Sequence, residues 1–402
     1  MNLFNDPIHE IKFEDVKKFC DAGTPESVKV DYKRELPKPE KLAKVISSFA
    51  NTWGGIIIIG VEEENRIPKL PIKGIDNQGG YEEKITSICL SHINPPITPE
   101  IREIPLDETN KKCVILIRIA ESDETPHRVE NDTEIYIRDN SISHPYEKKA
   151  PWEAIEWLIN KREKAIKNRE RLIERAVNRF ISSPHSSSAS FYRQLIIVPS
   201  FPCEILFDYT DFERIIEDSQ SRSKDSFSPP SDSSMISQNQ SIIYEHFWSD
   251  IGKIVLKYAE INQLGLVFNK ENFYEYFLFG EKDMLDINFT ISHLIATLKF
   301  AIKFYANINY KGLVIINYKV EGIKDKKLYD YENNQYFSNQ NDYGFSKYDK
   351  NFLKIKEIPL DHLIDKFPSV IYEFISELLW SCGAYQHALD RNRLEIKIQS
   401  SL

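Results

Sequence analysis

Residues 26–64 read ESVKVDYKRELPKPEKLAKVISSFANTWGGIIIIGVEEE, and this stretch decides the fold of the first part of the chain. Val28, Val30 and Tyr32 alternate with charged residues, which is the period of a strand with one buried face. An apolar stripe with helical spacing follows over residues 42–49, and residues 56–61 are apolar throughout. The pattern predicts a strand, a covering helix and a central buried strand, which together form one unit of an α/β sheet.

The rest of the chain divides where its composition changes. Strand and helix patterns continue up to residue 150 and end at Pro151, which is well placed to begin a helix. Residues 182–190 read SSPHSSSAS, a run of small residues that is typical of a linker. The predicted organisation is a mixed-sheet α/β domain over 1–150, a long basic helix over 151–181, the linker over 182–190 and a second α/β domain over 191–402. In the second domain, strands are predicted over 258–268 and 273–278, joined by 269–271.

Composition excludes several classes of protein. The chain has 402 residues and a net charge of −9, which argues against a protein that coats nucleic acid without specificity. Its five cysteines are scattered without a CxxC pair, so neither a disulfide framework nor a zinc site is expected. No apolar run has the length of a membrane span, and the start lacks a signal peptide pattern, so a cytoplasmic protein is expected. Residues 161–180 are a local exception, with eight basic and three acidic side chains.

Charged residues gather at both ends of the opening stretch. Glu26, Asp31 and Lys33 lie at its first strand, and Glu62 and Glu63 follow the buried strand. Carboxylates that converge at strand ends can hold Mg²⁺ or Mn²⁺, and a nearby lysine can stabilise negative charge on a phosphate. Alternating charges on an exposed strand are more often only solvated, so the spacing by itself leaves both interpretations open.

Three sequence motifs resemble the Schlafen AlbA-type domain, which is also known as AlbA_2 or as a divergent AAA-4 domain. They are E-x4-D-x-K from Glu26, the run SSFANTWGGIIIIGVEEE, and IYIRDNS at 135–141 preceded by Pro126. The resemblance covers about residues 15–147 and implies the mixed sheet of that family. The older description of the family as ATP-binding is not supported, because Gly54 and Gly55 lack the rest of a phosphate-binding loop and suffice as a helix stop.

The resemblance implies a metal-dependent endoribonuclease that cuts transfer or ribosomal RNA, with single-stranded DNA as a further substrate class. Carried over by position, the catalytic residues are Glu26, Asp31, Lys33 and Glu63. The implied ligands of Mg²⁺ or Mn²⁺ are the three acids among them, with Glu62 competing for the third place. Asp31 stands where the family usually has glutamate, and Glu63 where it usually has aspartate.

The predicted nucleic-acid contacts are the basic residues Lys29, Arg34, Arg128 and Arg138. Arg138 matches the strand arginine of the family, and an arginine can bind phosphate with two parallel hydrogen bonds. A second hypothesis keeps these contacts without catalysis, because non-cleaving regulators with similar domains also occur in the family. The two hypotheses differ in whether Glu26 and Asp31 are needed for activity.

The resemblance also bears on partners. Vertebrate Schlafens enclose RNA between two such lobes, whereas this chain carries one copy, so a homodimer or larger homo-oligomer is expected, through the helix over 151–181. Its composition is typical of a bacterial or phage protein, for which the implied role is an antiviral defence effector. The C-terminal domain is then expected to select substrate or to bind a protein or small-molecule trigger.

Overall fold

The computed structural model describes residues 2–130, 132, 134–139, 147–187, 191–202, 205–220, 234–250, 253–272, 284–330, 335–336, 349–384, 395 and 398–399. The chain forms two compact units, Met1–Lys164 and Ala165–Leu402, here called the N-terminal unit and the C-terminal unit. Both combine helices with sheets, which confirms the predicted mixed α/β class. The division between the units falls inside the long helix predicted over 151–181.

The strand, helix and central strand predicted over residues 26–61 are all present in the N-terminal unit. Its helices are α1 (Phe13–Asp21), α2 (Pro39–Ala50), α3 (Tyr81–His92) and the first turns of α4 (Trp152–Ser182). Its strands are β1 (Val30–Lys33), β2 (Gly55–Ile59), β3 (Glu63–Glu64), β4 (Ile67–Pro68), β5 (Ile75–Asp76), β6 (Ile93–Asn94), β7 (Glu100–Pro105), β8 (Lys112–Ile119), β9 (Arg128–Val129), β10 (Tyr136–Arg138) and β11 (Glu147–Lys149).

The main sheet of this unit has the order β1-β2-β8-β5, with β7 also paired to β8. Strands β1 and β2 run parallel, because α2 carries the chain back to the end of the sheet at which β1 begins. Val30 lies opposite Ile56 and Lys33 opposite Ile59 in this register. The pairs of β8 with β2, β5 and β7 are antiparallel. Strand β1 is therefore an edge strand whose inner side is paired with the centre of the sheet.

Both faces of the sheet are covered, as the continuous apolar run of β2 predicts. Ile56 and Ile58 belong to one buried cluster with Val30 and Tyr32 of β1. On the other face, Ile57 and Ile59 belong to a cluster that includes the apolar stripe of α2. The four isoleucines are all fully buried, which makes β2 the centre of the unit.

The described strands of the C-terminal unit are β12 (Tyr192–Pro199), β13 (Ser234–Gln238), β14 (Ser241–Asp250), β15 (Lys253–Asn262), β16 (Val267–Glu271), β17 (Met284–Asp286), β18 (Leu313–Glu321), β19 (Lys327–Asp330), β20 (Gln335–Tyr336) and β21 (Asn351–Pro359). Seven of them form an antiparallel sheet of order β13-β14-β15-β16-β12-β18-β21. The described helices of this unit are α5 (Phe212–Ser219), α6 (Ile287–Asn307), α7 (Leu360–Asp365) and α8 (Phe367–Ser381), with the second half of α4. Helices α6 and α8 contribute to the cluster on one face of the sheet, and α4 contributes to the cluster on the other.

One strand prediction in this unit is wrong. Residues 258–268 form the end of β15, a turn and the start of β16, because Gly265 adopts a φ of 90° in the turn. Residues 269–271, predicted to be a connection, lie in β16. The strand predicted over 273–278 lies outside the described residues.

The first turns of α4 bury only one stripe against the N-terminal unit. Leu158 is fully buried, and its carbonyl oxygen accepts a hydrogen bond from the Thr125 hydroxyl at 2.8 Å. Trp152 and Trp157 are 71% and 52% exposed. A search of the described helices finds none with the length and hydropathy needed to cross a membrane.

The end of α2 depends on a close approach that only glycine permits. Gly54 has a φ of 63°, and its N–H donates to the Phe49 carbonyl oxygen at 2.9 Å. A Cβ added at Gly54 would lie 2.5 Å from the Ile119 carbonyl oxygen and 2.7 Å from the Glu121 nitrogen. The residue therefore ends the helix and lets the chain pass directly beside β8.

We expect Gly54→Ala to lower the free energy of unfolding by roughly 3 kcal/mol, because it adds both left-handed strain and a backbone collision. Gly79→Ala is the matched control, since Gly79 has a φ of 67° and no atom within 4 Å of an added Cβ. That variant should lose only about 1 kcal/mol. Denaturant unfolding of both variants measures the difference, and equal losses would contradict the packing argument.

Candidate nucleic-acid and metal site

A tight turn brings Glu26 beside the edge strand. The Ser27 N–H donates to the Val30 carbonyl oxygen at 3.0 Å, so the chain reverses just before β1. Glu26 Oε1 then accepts a hydrogen bond from the Tyr32 N–H at 3.1 Å. This N–H points away from β2. The Glu26 carboxylate therefore accepts a hydrogen bond from an N–H that the edge strand would otherwise leave unpaired.

Asp31 is buried, so the prediction that the strand pattern sends it out on the exposed face with Lys33 is wrong. Only 2% of the residue is accessible, and its Oδ1 accepts a hydrogen bond from Lys33 Nζ at 2.6 Å. Its Oδ2 has no hydrogen-bond partner, and Arg138 Nη1 lies 3.9 Å away. The predicted neighbours Asp31 and Lys33 do lie together, and Lys33 remains 20% exposed at its side chain.

Arg138 reaches this pair from β10 and is held on several sides. Its backbone N–H donates to Thr52 Oγ1 at 2.8 Å, and its Nη2 donates to the Ser27 carbonyl oxygen at 2.8 Å. The guanidinium carbon lies 4.2 Å from the centre of the Phe49 ring. Arg138 therefore connects the turn after Glu26 to the end of α2, with its side chain almost fully buried.

Residues of the FANTWGG motif carry out this positioning. The Asn51 side-chain amide donates to the carbonyl oxygens of His127 and Tyr136 at 2.8 and 2.9 Å, and its oxygen accepts from the His127 N–H at 2.8 Å. Together with Phe49 and Thr52, this amide fixes β10 against α2. In the sequence the motif carries the family resemblance, and two polar residues directly after the apolar stripe of a helix are themselves a sign of such a bridge.

The Glu26 carboxyl shares its surroundings with Asp31, and this changes its proton affinity. Burial, followed by the hydrogen bond and the charge of Asp31, raises the pKa of Glu26 from 4.5 to about 7. Lys33 opposes this rise by its positive charge. Two adjacent buried carboxyls disfavour double ionisation, so near neutral pH Glu26 retains a proton more readily than an isolated glutamate.

The predicted third acid lies on a neighbouring hairpin formed by β3 and β4. Asn65 and Arg66 have φ values of 55° and 67°, as the tight hairpin turn requires. The hairpin is tied to Glu26, because the Glu26 N–H donates to the Arg66 carbonyl oxygen at 2.7 Å and Arg66 Nη2 donates to the Glu26 carbonyl oxygen at 2.9 Å. Glu63 is exposed, and its Oε2 accepts from the Arg66 N–H at 2.7 Å. Glu62 pairs instead with Lys73 at 3.0 Å.

The residues fit a divalent cation in part. Glu26 and Asp31 present adjacent carboxylates, and the unsatisfied Asp31 Oδ2 is the kind of oxygen that Mg²⁺ or Mn²⁺ prefers. Among the described residues there is no group of three or more His, Cys, Asp or Glu side chains placed to hold a metal ion. Two predicted ligands are thus assembled, whereas Glu62 and Glu63 are held by other partners.

The remaining predicted contacts are accessible side chains. Lys29 lies in the turn after Glu26, Arg34 follows β1, and Arg128 lies in β9, and all three are exposed. His127 is buried and takes no part in the acidic pair. Its ring nitrogens contact the Pro95 carbonyl oxygen and the Ser122 hydroxyl at 2.8 and 2.7 Å, and burial lowers its pKa to about 4.

Comparison with known proteins identifies the domain type. Residues 26–147 match the family model described as Schlafen, AlbA_2, so the N-terminal part of the chain carries a Schlafen AlbA_2 domain and the resemblance is confirmed. This domain type indicates a nucleic-acid-related function. No curated protein matches the chain. One solved structure that matches is the DIP2311 protein from Corynebacterium diphtheriae, with 18% identity over 36% of this chain and 27% of that one, at a TM-score of 0.24.

The raised pKa of Glu26 predicts a specific pH dependence of stability. Between its unfolded value of 4.5 and about 7, the folded protein holds the proton more tightly than the unfolded chain, so stability falls as the pH rises through this range. Glutamine imitates the protonated carboxyl. We therefore expect Glu26→Gln to be more stable than the wild type at about pH 8, by on the order of 1 kcal/mol, and nearly equal to it at about pH 5.

Thermal unfolding at both pH values tests this expectation. Glu64→Gln is the matched control, because Glu64 is an exposed acid on the adjacent hairpin. A Glu26→Gln variant that differs from the wild type by the same amount at both pH values would contradict the raised pKa.

Proposed function

We propose that the N-terminal unit is a metal-dependent endoribonuclease that acts on transfer or ribosomal RNA. The observation that carries the proposal is the buried pair of Glu26 and Asp31, in which Asp31 Oδ2 has no hydrogen-bond partner while Glu26 is ionised, and the adjacent Asp31 helps to raise the pKa of Glu26. Residues with perturbed pKa values and unsatisfied polar atoms occur preferentially at functional sites. Lys33 stands beside the pair, with its ammonium group partly accessible.

Each of these residues has a chemical role in the proposal. Glu26 and Asp31 would hold Mg²⁺ or Mn²⁺, which when bound stabilises negative charge on a phosphate and lowers the pKa of water. Asp31 also orients Lys33 through the hydrogen bond of 2.6 Å. Lys33 supplies positive charge to the phosphate group at which the chain is cut.

The third carboxylate would come from the hairpin of β3 and β4. Glu63 is favoured over Glu62, since Glu63 is held only by a backbone N–H that a side-chain rotation releases, whereas Glu62 faces the Lys73 ammonium group. Two hydrogen bonds keep this hairpin next to the pair, one from the Glu26 N–H to the Arg66 carbonyl oxygen and one from Arg66 Nη2 to the Glu26 carbonyl oxygen. A glutamate at this position is longer than aspartate and partly offsets the shorter Asp31.

A second candidate function, nucleic-acid binding without cleavage, is favoured by a different observation. Lys33 and Arg138 already place two positive charges beside Asp31, at 2.6 and 3.9 Å. When both carboxyls are ionised, these two cations balance the charge of the cluster. In this candidate, Glu26 and Asp31 shape the edge strand, and the exposed Lys29, Arg34 and Arg128 bind the phosphate backbone.

The proposal extends to the rest of the chain. An RNA-cutting unit joined to a second unit fits an antiviral effector whose C-terminal unit responds to a trigger, and single-stranded DNA is a further substrate class to examine. The exposed Trp152 and Trp157 on α4 support the predicted homo-oligomer, because large aromatic side chains are enriched in protein interfaces.

If the unit is a nuclease, Glu26→Gln and Asp31→Asn should each reduce RNA cleavage at least about 100-fold, because each removes a carboxylate ligand without changing side-chain size. Among the adjacent acids, Glu63→Gln should have a similar effect, and Glu64→Gln should have none. Cleavage of transfer RNA, ribosomal RNA and single-stranded DNA is measured with Mg²⁺ and with Mn²⁺, together with toxicity on expression in a bacterial host. A wild-type protein that cuts none of these, as monomer or oligomer, would exclude the nuclease and leave the second candidate.

Binding is expected to depend on the exposed cations under both candidates. Lys29→Gln and Arg34→Gln should each weaken RNA affinity and reduce the slope of log affinity against log salt by about 1. Lys84→Gln is the matched control, because Lys84 is an exposed lysine on α3 of the same unit. Fluorescence anisotropy with a chelator present measures binding without cleavage. If the wild type and the three variants bind RNA with equal affinity, the RNA binds another surface of the protein.

A further inference from the structure

A cavity of about 640 Å³ lies in the C-terminal unit between the second half of α4 and the strands β13, β14 and β15. Three arginines of α4 line it, namely Arg171, Arg175 and Arg179. They are spaced four residues apart, so they stand on one face of the helix on successive turns. These residues belong to the basic segment that the sequence showed and that the proposed function leaves unexplained.

Arg179 is already neutralised by the protein. Its Nη1 donates to Glu260 Oε1 at 2.6 Å and to Ser241 Oγ at 3.2 Å. The Glu260 side chain is 1% exposed and also accepts from the Ser241 hydroxyl at 2.8 Å. The carboxylate of Glu260 is therefore fully occupied by Arg179 and its neighbours.

Arg175 stands beside this pair without a hydrogen-bond partner for two of its nitrogens. Its Nε and Nη2 are both buried and unpartnered. These two nitrogens form one edge of the guanidinium plane, and this edge donates two parallel hydrogen bonds to a carboxylate or phosphate. Burial and the charge of Arg179 lower the pKa of Arg175, and the charge of Glu260 opposes this shift.

The other walls of the cavity suit an organic group. Ile236 and Ile243 supply apolar surface, and the ring of Tyr258 closes one side. Glu245, a potential competitor for Arg175, accepts a hydrogen bond from the Ser183 hydroxyl. A volume of 640 Å³ is larger than a phosphate ion and lies in the range of small-molecule sites.

We propose that this cavity binds a small organic phosphate of about nucleotide size, with the phosphate on the Nε and Nη2 edge of Arg175. Arg171, one turn earlier on α4, reaches the remaining phosphate oxygens, and the organic part lies against Ile236, Ile243 and Tyr258. A phosphate is favoured over a carboxylate because two arginines with separate forks match a group with three acceptor oxygens. The proposal does not depend on nuclease activity in the N-terminal unit.

The experiment measures thermal stabilisation and calorimetric binding of the full chain with adenosine 5′-monophosphate, adenosine and inorganic phosphate. Wild-type protein should be stabilised by the monophosphate and more weakly by inorganic phosphate, and adenosine should have no effect. Arg175→Gln should raise the dissociation constant for the monophosphate at least about tenfold. Lys164→Gln, which removes an exposed charge from the same helix, is the matched control and should bind like the wild type.

A second readout separates a binding role from a structural one. Without ligand, Arg175→Gln should unfold at the same temperature as the wild type or higher, because it removes a poorly compensated buried charge. Arg175→Lys keeps the charge but loses the paired edge, and should also bind weakly.

Three results would overturn the proposal: no binding of any phosphate probe at millimolar concentration, monophosphate binding that Arg175→Gln leaves unchanged, or a large loss of stability in ligand-free Arg175→Gln. A short single-stranded RNA whose affinity falls in Arg175→Gln while monophosphate binding does not would assign the cavity to nucleic-acid contact instead.

Discussion

The burial of the Asp31 carboxylate is the constraint on which the arrangement of the N-terminal unit depends. Asp31 lies on a strand paired with the fully buried β2, and only 2% of the residue is accessible to solvent. A buried charge must be paired or hydrogen-bonded, because the cost of removing it from water is several kcal/mol. Lys33, two residues after Asp31 on the same strand, forms an ion pair with it, and Arg138 approaches Asp31 from β10.

This need explains the local structure around the pair. Arg138 reaches Asp31 only because β10 is fixed to the end of α2, which Asn51 achieves with three hydrogen bonds. The same end of α2 turns through Gly54, where any side chain would collide with β8. The FANTWGG motif thus combines a helix stop, a bridge to β10 and an aromatic surface for the arginine. Phe49 and Thr52 of the motif hold Arg138 in place, which puts a positive charge beside the buried Asp31 carboxylate.

The two units show opposite forms of the same incomplete pairing. In the N-terminal unit, Asp31 Oδ2 is a buried acceptor without a donor, next to a second carboxyl that retains a proton more tightly than usual. In the C-terminal unit, Arg175 is a buried donor without an acceptor, next to a second arginine. Natural proteins leave few buried polar atoms unsatisfied, so such positions are where ligands are to be sought. The first suits a cation and the second suits an anion.

The sequence by itself determined the strand, helix and central strand of the opening stretch and the closeness of Asp31 and Lys33. Periodicity is a local property, and it placed the stripe of α2 against the sheet and β2 at the centre of the sheet because apolar spacing reports burial directly. It could not place the β15 turn at Gly265, since a glycine within an apolar run leaves both a strand and a hairpin open. Only the tertiary structure decided that Asp31 is buried, that Arg138 faces it and that Glu63 is held by Arg66. These contacts join residues up to about a hundred positions apart, and no local pattern records which side chain fills the space beside another.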